Sequence, residues 1–254
     1  MFEPVVLQSP IDEYHLRIME VLRFGTPERL SEQSIVGRLL SLNVVSAAEA
    51  YFRSALSAAM EMCPIAQAVA AEKTINLGGM LWHGRSGFSR SAFDHLSFAS
   101  SEDLKKASSA YLGLSLSAST FQAPLREYDK VCHLRHGIVH NDGVLPGRNA
   151  VKLDIRRMGG LVRMKVDYRS LQEIAAVTTT LVGTFNRELF EFLCKRWAVD
   201  WRNRADWESV KEVRLFNNIW DLCASKRELA AKSDRAKLRR VDCLKAVRRH
   251  FDLA

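Results

Sequence analysis

Three histidines and an arginine cluster in the segment CHLRHGIVHND, residues 132–142. On an ideal helix, residues spaced i, i+3 and i+7 share a stripe about 60° wide. The histidines with this spacing are His133, His136 and His140. A separate apolar stripe consists of Val131, Leu134 and Ile138. A helix with this pattern can bury its apolar stripe and present its histidines to a cleft or a partner.

Arg135 and His140 form the pair in this segment that suits chemistry on RNA. A guanidinium is always charged and forks onto phosphate oxygens, whereas an imidazole can accept and donate a proton near neutral pH. Cleavage of an RNA strand needs a base for the 2′-hydroxyl, a cation for the pentacoordinate phosphorane and an acid for the leaving 5′-oxygen. Two Arg–His pairs would supply all three groups.

A straight helix separates Arg135 from His140 by about 140° around its axis and roughly 7.5 Å along it. Three arrangements would still bring both side chains to one phosphate. The helix ends near Gly137, the arginine reaches around the helix, or two copies of the chain face each other across a twofold axis. We favour the third arrangement and therefore predict a homodimer.

Two other kinds of site compete for the same histidines. Neutral imidazoles one helical turn apart can bind zinc, and Asp129 lies on the same stripe one turn before His133. Four groups along one straight helix cannot all surround a single ion, however, and the chain has no H-E-x-x-H sequence. We therefore predict no metal and no other cofactor. A Ser-His-Asp hydrolase is a weaker alternative, because the sequence has neither a G-x-S-x-G turn nor alternating strands and helices.

The sequence LRHGIVHNDG, residues 134–143, resembles the signature of the HEPN superfamily, which is an arginine, four to six residues and then a histidine. The same spacing occurs in Arg90 with His95 and in Arg126 with His133. Only the copy at Arg135 and His140 has a polar residue after the arginine, an apolar pair before the histidine and a turn after it. We therefore assign the motif to that copy.

The resemblance implies a role for each residue of the motif. Arg135 would bind the scissile phosphate and stabilise its transition state, and His140 would act as the general base or acid. His136 would orient the phosphate or the partner histidine. Asn141, directly after the motif, is predicted to support it.

Residues 44–56, VVSAAEAYFRSAL, resemble an early helix of the same family. This helix carries an acidic residue and, four residues later, a basic one, here Glu49 and Arg53, which share one helix face. The resemblance implies that the two residues lie beside the catalytic pair and support it. An ordinary surface ion pair is the alternative interpretation.

The family is all-α and rich in RNases of toxin, antiphage and CRISPR systems. The resemblance thus implies a metal-independent endoribonuclease that leaves 2′,3′-cyclic phosphate and 5′-hydroxyl ends. RNA would be its substrate, and an antitoxin or another regulatory partner would control it. Asp142 stands where AMPylated members carry a tyrosine, which argues against that modification. The alternative is a non-catalytic HEPN module that binds RNA, a nucleotide or a partner protein.

Helical periodicity dominates the rest of the chain and predicts a mainly α fold. The resemblance implies an HEPN-like helical bundle of the kind seen in stand-alone RiboL-PSP-like proteins. We expect residues 1–200 to form this domain. The alternating runs VKLDIRR (151–157) and LVRMKVDY (161–168) predict a small β-hairpin inserted in that bundle. Residues 201–254 are predicted to form a basic helical C-terminal extension.

The C-terminal extension holds most of the net charge of +8. Residues 226–250 contain ten Lys or Arg against three acidic residues, a balance of +7. Such a block suits the RNA backbone, and the predicted RNA contacts are Arg235, Lys237, Arg239, Arg240, Lys245, Arg248 and Arg249. The alternatives are a solvated helix and a basic amphipathic anchor at a membrane or a partner helix.

Composition agrees with a globular protein, since 47% of the 254 residues are hydrophobic. The first residues lack the pattern of a signal peptide, and no run of about 18 uninterrupted apolar residues occurs. We therefore predict a cytoplasmic protein that does not bind membranes. The five cysteines have no C-x-x-C spacing, so we expect them to be reduced.

Overall fold

The computed structural model describes residues 9–84, 87–155, 160–231 and 238–253. In these ranges the chain forms thirteen α-helices: α1 (Pro10–Phe24), α2 (Pro27–Glu32), α3 (Ser34–Met62), α4 (Pro64–Ala70), α5 (Leu77–His83), α6 (Phe88–Ser91), α7 (Ser101–Ala107), α8 (Ser119–Asn141), α9 (Gly147–Lys152), α10 (Tyr168–Lys195), α11 (Glu212–Cys223), α12 (Lys226–Ala231) and α13 (Arg240–His250). One π-helical turn follows α7 at Ser108–Leu112 and another follows α10 at Arg196–Asp200. The predicted mainly α class is confirmed.

Helix α3 is the centre of the bundle, and α1, α8 and α10 pack around it. Phe52 of α3 is fully buried, with its ring 5.3 Å from that of Phe185 on α10 and 6.2 Å from that of Tyr128 on α8. Each buried aromatic side chain of this kind stabilises the fold by roughly 2–3 kcal/mol. Three core helices therefore meet at one aromatic cluster, which fixes their relative positions.

The apolar character of α3 extends over most of its length. A window of this helix is long and hydrophobic enough to cross a membrane, but 61% of the window is buried against other parts of the chain. Burial among neighbouring helices is the usual environment of a core helix, so its hydrophobicity has an explanation within the fold.

Helix α8 begins at Ser119, well before the Arg–His motif. Phe121 is buried in the core, and this burial favours a helix start before it. Thr120 donates a hydrogen bond to Glu188 near the end of α10, so the two helices run antiparallel. The C-terminal half of α8 consequently lies at the end of the bundle where α10 begins.

The predicted β-hairpin is not present in the described residues. Residues 151 and 152 belong to the helix α9, and residues 156–159 lie outside the described ranges. The segment after them pairs instead with the turn that follows α8, through a single antiparallel bridge between Val144 and Arg163. The first alternating run is misleading because it has no buried face: Val151 is 81% exposed and Ile155 is 40% exposed. The second run does place Val166 in the core, at 5% exposure, but the described residues give it no partner strand beyond the single bridge.

The C-terminal helices pack directly on the bundle. Helix α11 contacts α10, α3 and α1, and α13 contacts α11. Asp12 of α1 accepts hydrogen bonds from the hydroxyl of Ser225 at 2.6 Å and from the amide of Lys226 at 3.0 Å. Burial alone would raise the pKa of Asp12, but these bonds, with those from Ser9 and the amide of Arg227, outweigh it and lower that pKa. The start of α12 is thereby fixed to the N-terminal helix.

Candidate functional site

Helix α8 carries the whole Arg–His motif and continues through Gly137 to Asn141. Asp142 and Gly143 end it with positive φ angles of 49° and 81°, and the Gly143 amide bonds back to the Gly137 carbonyl at 3.1 Å. A Cβ at position 143 would lie 2.6 Å from Cδ of Arg38, so both space and conformation favour glycine there. The arrangement in which the helix ends near Gly137 is therefore wrong, and Arg135 and the last histidine stay about 140° apart.

Arg135 lies on the side of α8 that faces α3, where its Nη2 is 3.5 Å from Oε2 of Glu49. The Glu49 side chain is only 12% exposed, whereas that of Arg135 is 29% exposed. The other carboxylate oxygen, Oε1, accepts hydrogen bonds of 3.2 Å from the amide of Phe98 and from the hydroxyl of Ser97. The carboxylate is held from two sides, and it positions one edge of a guanidinium that remains partly open to solvent.

Arg53, one turn further along α3, binds the same loop of residues 93–98 that Glu49 contacts. It donates hydrogen bonds to the carbonyls of Phe93 at 3.2 Å and Leu96 at 3.0 Å. Its guanidinium also lies 5.7 Å from the ring centroid of Phe98. No ion pair joins Arg53 to Glu49 among the described residues, and both side chains instead hold the backbone between residues 93 and 98. Of the predicted pair, Glu49 contacts Arg135 directly, whereas Arg53 is joined to Glu49 only through the loop that both side chains hold.

His136 and His140 lie on the other side of α8 and are both exposed. Their ring centroids are 4.6 Å apart at an interplanar angle of 50°. His133, one turn earlier, is half-buried, and its backbone carbonyl accepts a hydrogen bond from Asn149 of α9. The exposed histidines and the buried apolar residues Val131 and Ile138 therefore occupy separate faces, as the spacing predicts.

Asp129, the acidic member of the alternative zinc site, has a structural role. Its carboxylate accepts a 2.8 Å hydrogen bond from the amide of Ser101 and another from the hydroxyl of that serine, at the start of α7. In the described part of the chain, no group of three or more His, Cys, Asp or Glu side chains is arranged to hold a metal ion.

The two rival Arg–His pairs lie in different surroundings. Arg90 lines a cavity of about 320 Å³ together with Ser57, Ser89 and Glu61, whereas His95 is exposed in the loop after α6. Arg126 is exposed and contacts the neighbouring Glu127 at 3.3 Å. Within the described ranges, neither arginine forms an ion pair with a carboxylate on another helix, as Arg135 does with Glu49.

The predicted RNA-binding residues of the C-terminal segment divide into three groups. Arg235 and Lys237 lie outside the described residues. Arg240 and Arg248 form ion pairs with α11, at 3.7 Å from Asp221 and 2.7 Å from the buried Glu212. The other three are exposed on α13 or just before it and form no ion pair within the described ranges, and they are Arg239, Lys245 and Arg249.

Two basic residues near the motif could not be placed there from the sequence, because no helix was predicted at 147–152 and a strand was expected from residue 151. Arg148 and Lys152 of α9 are both exposed, and both lie close enough to His133 to affect its protonation. Burial is the main cause that lowers the pKa of His133, and Lys152 is the next. Asn141, predicted as a supporting residue, is the exposed last residue of α8.

The chain was compared with family models, with curated proteins and with solved structures, and none of them matches it. The HEPN resemblance therefore stays a prediction, and the functional assignment depends on the sequence motif and on the contacts that α8 makes with α3 and α9.

Proposed function

We propose that this protein is an HEPN-type endoribonuclease of toxin or antiphage-defence type. It acts in the cytoplasm as a homodimer, without a metal ion, under the control of an antitoxin or another regulator. The observation that carries the proposal is the geometry of α8: Arg135 is positioned by Glu49 yet partly exposed, and two histidines in tilted ring contact are exposed one helical turn apart near the same end of that helix.

The proposed reaction is an in-line transfer at phosphorus. One His140 takes the proton from the 2′-hydroxyl, whose oxygen then attacks the phosphorus and forms the 2′,3′-cyclic phosphate. The bond from phosphorus to the 5′-oxygen breaks, and a second His140 donates a proton to that oxygen, which leaves as a hydroxyl. Arg135 stabilises the extra negative charge of the phosphorane through its forked N–H groups.

The need for two copies comes from the helix. Because α8 is continuous, Arg135 and His140 of one protomer lie about 140° apart around its axis. A twofold axis beside the C-terminal half of α8 would place the Arg135 of one copy opposite the His140 of its partner. Such a site would contain both acid and base, and His136 would orient the neighbouring histidine through the ring contact already present.

The C-terminal block is proposed to hold the RNA backbone through its exposed residues Arg239, Lys245 and Arg249. Arg240 and Arg248 already neutralise acidic residues of α11, so they contribute less to this surface. A steep salt dependence of RNA binding that survives deletion of residues 226–254 would count against this part of the proposal.

A second candidate function is supported by the contact between Arg135 and Glu49. This ion pair joins α8 to α3, and a bond with that role would be expected in a non-catalytic HEPN module that binds RNA, a nucleotide or a partner protein. In such a module, loss of Arg135 would lower the stability of the bundle, and no RNA would be cut.

Purified protein incubated with mixed RNA in EDTA distinguishes the two functions. The proposal predicts cleavage that leaves 2′,3′-cyclic phosphate and 5′-hydroxyl ends, and loss of cleavage in the Arg135→Ala, His140→Ala double variant. If the two preparations cut alike, or if neither cuts, the enzymatic assignment is wrong. A parallel thermal melt shows whether the double variant remains folded.

A further inference from the structure

Helix α9 is attached to the side of α8 by a buried asparagine. Asn149 is 5% exposed, and its Nδ2 donates a 2.9 Å hydrogen bond to the carbonyl of His133. The turn before α9 is closed by a hydrogen bond of 2.9 Å from the amide of Asn149 to the carbonyl of Pro146. A buried side-chain amide bonded to a helix backbone has little orientational freedom, so α9 holds a defined position beside the histidines.

This position brings two positive charges to the histidine face of α8. Arg148 and Lys152 are four residues apart in α9 and therefore share one helix face, with Cβ atoms roughly 5–6 Å apart. Both side chains are exposed. Burial is the main cause that lowers the pKa of His133, and the charges of Lys152, His136 and Arg148 lower it further, whereas Asp129 raises it. The two basic residues of α9 therefore act on the histidine face.

Three acidic residues of this region have side-chain partners among the described residues. Asp129 accepts hydrogen bonds from Ser101. Glu102 pairs with Lys106 at 2.6 Å, and Asp142 lies 3.1 Å from Arg163.

Neither Arg148 nor Lys152 forms an ion pair with a residue in the described ranges. The face formed by α9 and the histidine stripe thus presents two basic side chains, Arg148 and Lys152, with the exposed Asp154 and the serine-bonded Asp129 as its nearby carboxylates.

We infer that Arg148 and Lys152, together with His133 and His136, form a phosphate-binding groove that holds the RNA strand next to the scissile phosphate. The inference rests on the proposed function and names the part of the protein that binds its substrate. A forked guanidinium and an ammonium group one helical turn apart can each contact a phosphate of one strand. The strand would then pass along the side of α8 that carries the exposed histidines.

Binding to an uncleavable RNA tests this inference separately from catalysis. A short, fluorescein-labelled 2′-O-methyl RNA lacks the attacking hydroxyl, and its affinity can be measured by fluorescence anisotropy at several salt concentrations. The test variant is Arg148→Gln, Lys152→Gln. The matched control is Arg23→Gln, Lys73→Gln, which removes one exposed arginine and one exposed lysine from α1 and from the loop after α4.

The test variant is expected to bind roughly tenfold more weakly at about 0.1 M salt, and its slope of log K against log salt should fall by about 1.4, since each phosphate contact to a single strand contributes roughly 0.7. The control should bind like the unmodified protein. Because all four side chains are exposed, both variants should keep the original melting temperature.

Equal binding by the test variant and the control would overturn the inference, even if the protein cuts RNA in EDTA. A protein that neither binds nor cuts RNA would overturn the proposed function and this inference together. Vesicles that contain phosphatidylserine serve as a second anionic probe. Vesicle binding that requires Arg148 and Lys152, with unchanged RNA binding, would assign the groove to membrane surfaces and would also contradict the inference.

Discussion

Helices α8 and α13 both carry clusters of basic residues, but their side chains have different surroundings. On α8, Arg135 is held by a nearly buried glutamate of α3, while His136 and His140 are exposed on another face. On α13, two arginines bind acidic residues of α11, and the other basic residues project into solvent. Residue spacing sorts side chains onto faces, whereas an excess of charge does not show which charges are neutralised within the fold.

Removal of His140 should have the largest effect on activity. The His140→Ala variant is expected to cut RNA about 10²–10⁴-fold more slowly, because general acid–base catalysis contributes that much to the rate. The His95→Ala variant removes an exposed histidine of a rival Arg–His pair and should cut at the original rate. Single-turnover cleavage measures both variants, and equal rates for the two would contradict the assignment of the motif.

Glu49 is the residue that joins the motif to the core, so its removal should affect stability. In Glu49→Ala, the partly buried amide of Phe98 and the guanidinium of Arg135 lose their shared acceptor. We expect the free energy of unfolding to fall by about 1–3 kcal/mol, the usual cost of such unsatisfied groups. Urea denaturation measures this change. Glu49→Gln keeps an acceptor oxygen and should lose less, and an Ala variant as stable as the wild type would contradict the contacts of Glu49 with Phe98 and Arg135.

On α13, the two kinds of arginine should respond differently to substitution. Arg248→Gln removes two contacts to Glu212, whose side chain is 11% exposed, and should lower the free energy of unfolding by about 1 kcal/mol. Arg249→Gln alters an exposed side chain and should change it by less than about 0.5 kcal/mol. RNA affinity should show the opposite order: Arg249→Gln should weaken RNA binding more than Arg248→Gln does. Salt titrations of RNA binding by both variants measure this.

The pH dependence of stability gives the smallest effect. The pKa of His133 lies below its ordinary value of 6.5 because of burial and then Lys152, so the unfolded chain binds that proton more readily. The stabilisation that His133 contributes by staying neutral is therefore complete at a pH above 6.5 and is lost as the pH falls below 6.5. Between about pH 7.5 and 5.5 the loss should be less than about 1 kcal/mol. Urea unfolding of His133→Gln should show a weaker pH dependence than that of His136→Gln, and equal slopes would be the contrary result.

Much of the fold could be predicted from local patterns in the sequence. The long helices α3, α8 and α10 have apolar residues at helical spacing, and this regularity is enough to predict them. The hairpin was wrong because the first alternating run has no buried face, although the second buries Val166, and because the buried contact of Asn149 favours a helix at Gly147–Lys152. A side-chain bond between distant segments leaves no periodic signal.

The candidate site was only partly predictable for the same reason. The motif and the acidic residue four positions before Arg53 could be recognised by spacing. That Glu49 contacts Arg135, while Arg53 binds the carbonyls of Phe93 and Leu96, depends on how a loop crosses α3. The proximity of Arg148 to His133 likewise depends on the packing of α9 and not on sequence distance.

In the proposed homodimer, each catalytic site combines the Arg135 of one copy with the His140 of its partner. Wild-type protein can be co-refolded with a ninefold excess of the Arg135→Ala, His140→Ala variant and assayed at saturating RNA. If subunits pair at random, about one tenth of the wild-type chains meet another wild-type chain, so cleavage per wild-type chain should fall roughly tenfold. Unchanged cleavage per wild-type chain would show that each protomer acts alone, and it would contradict the account.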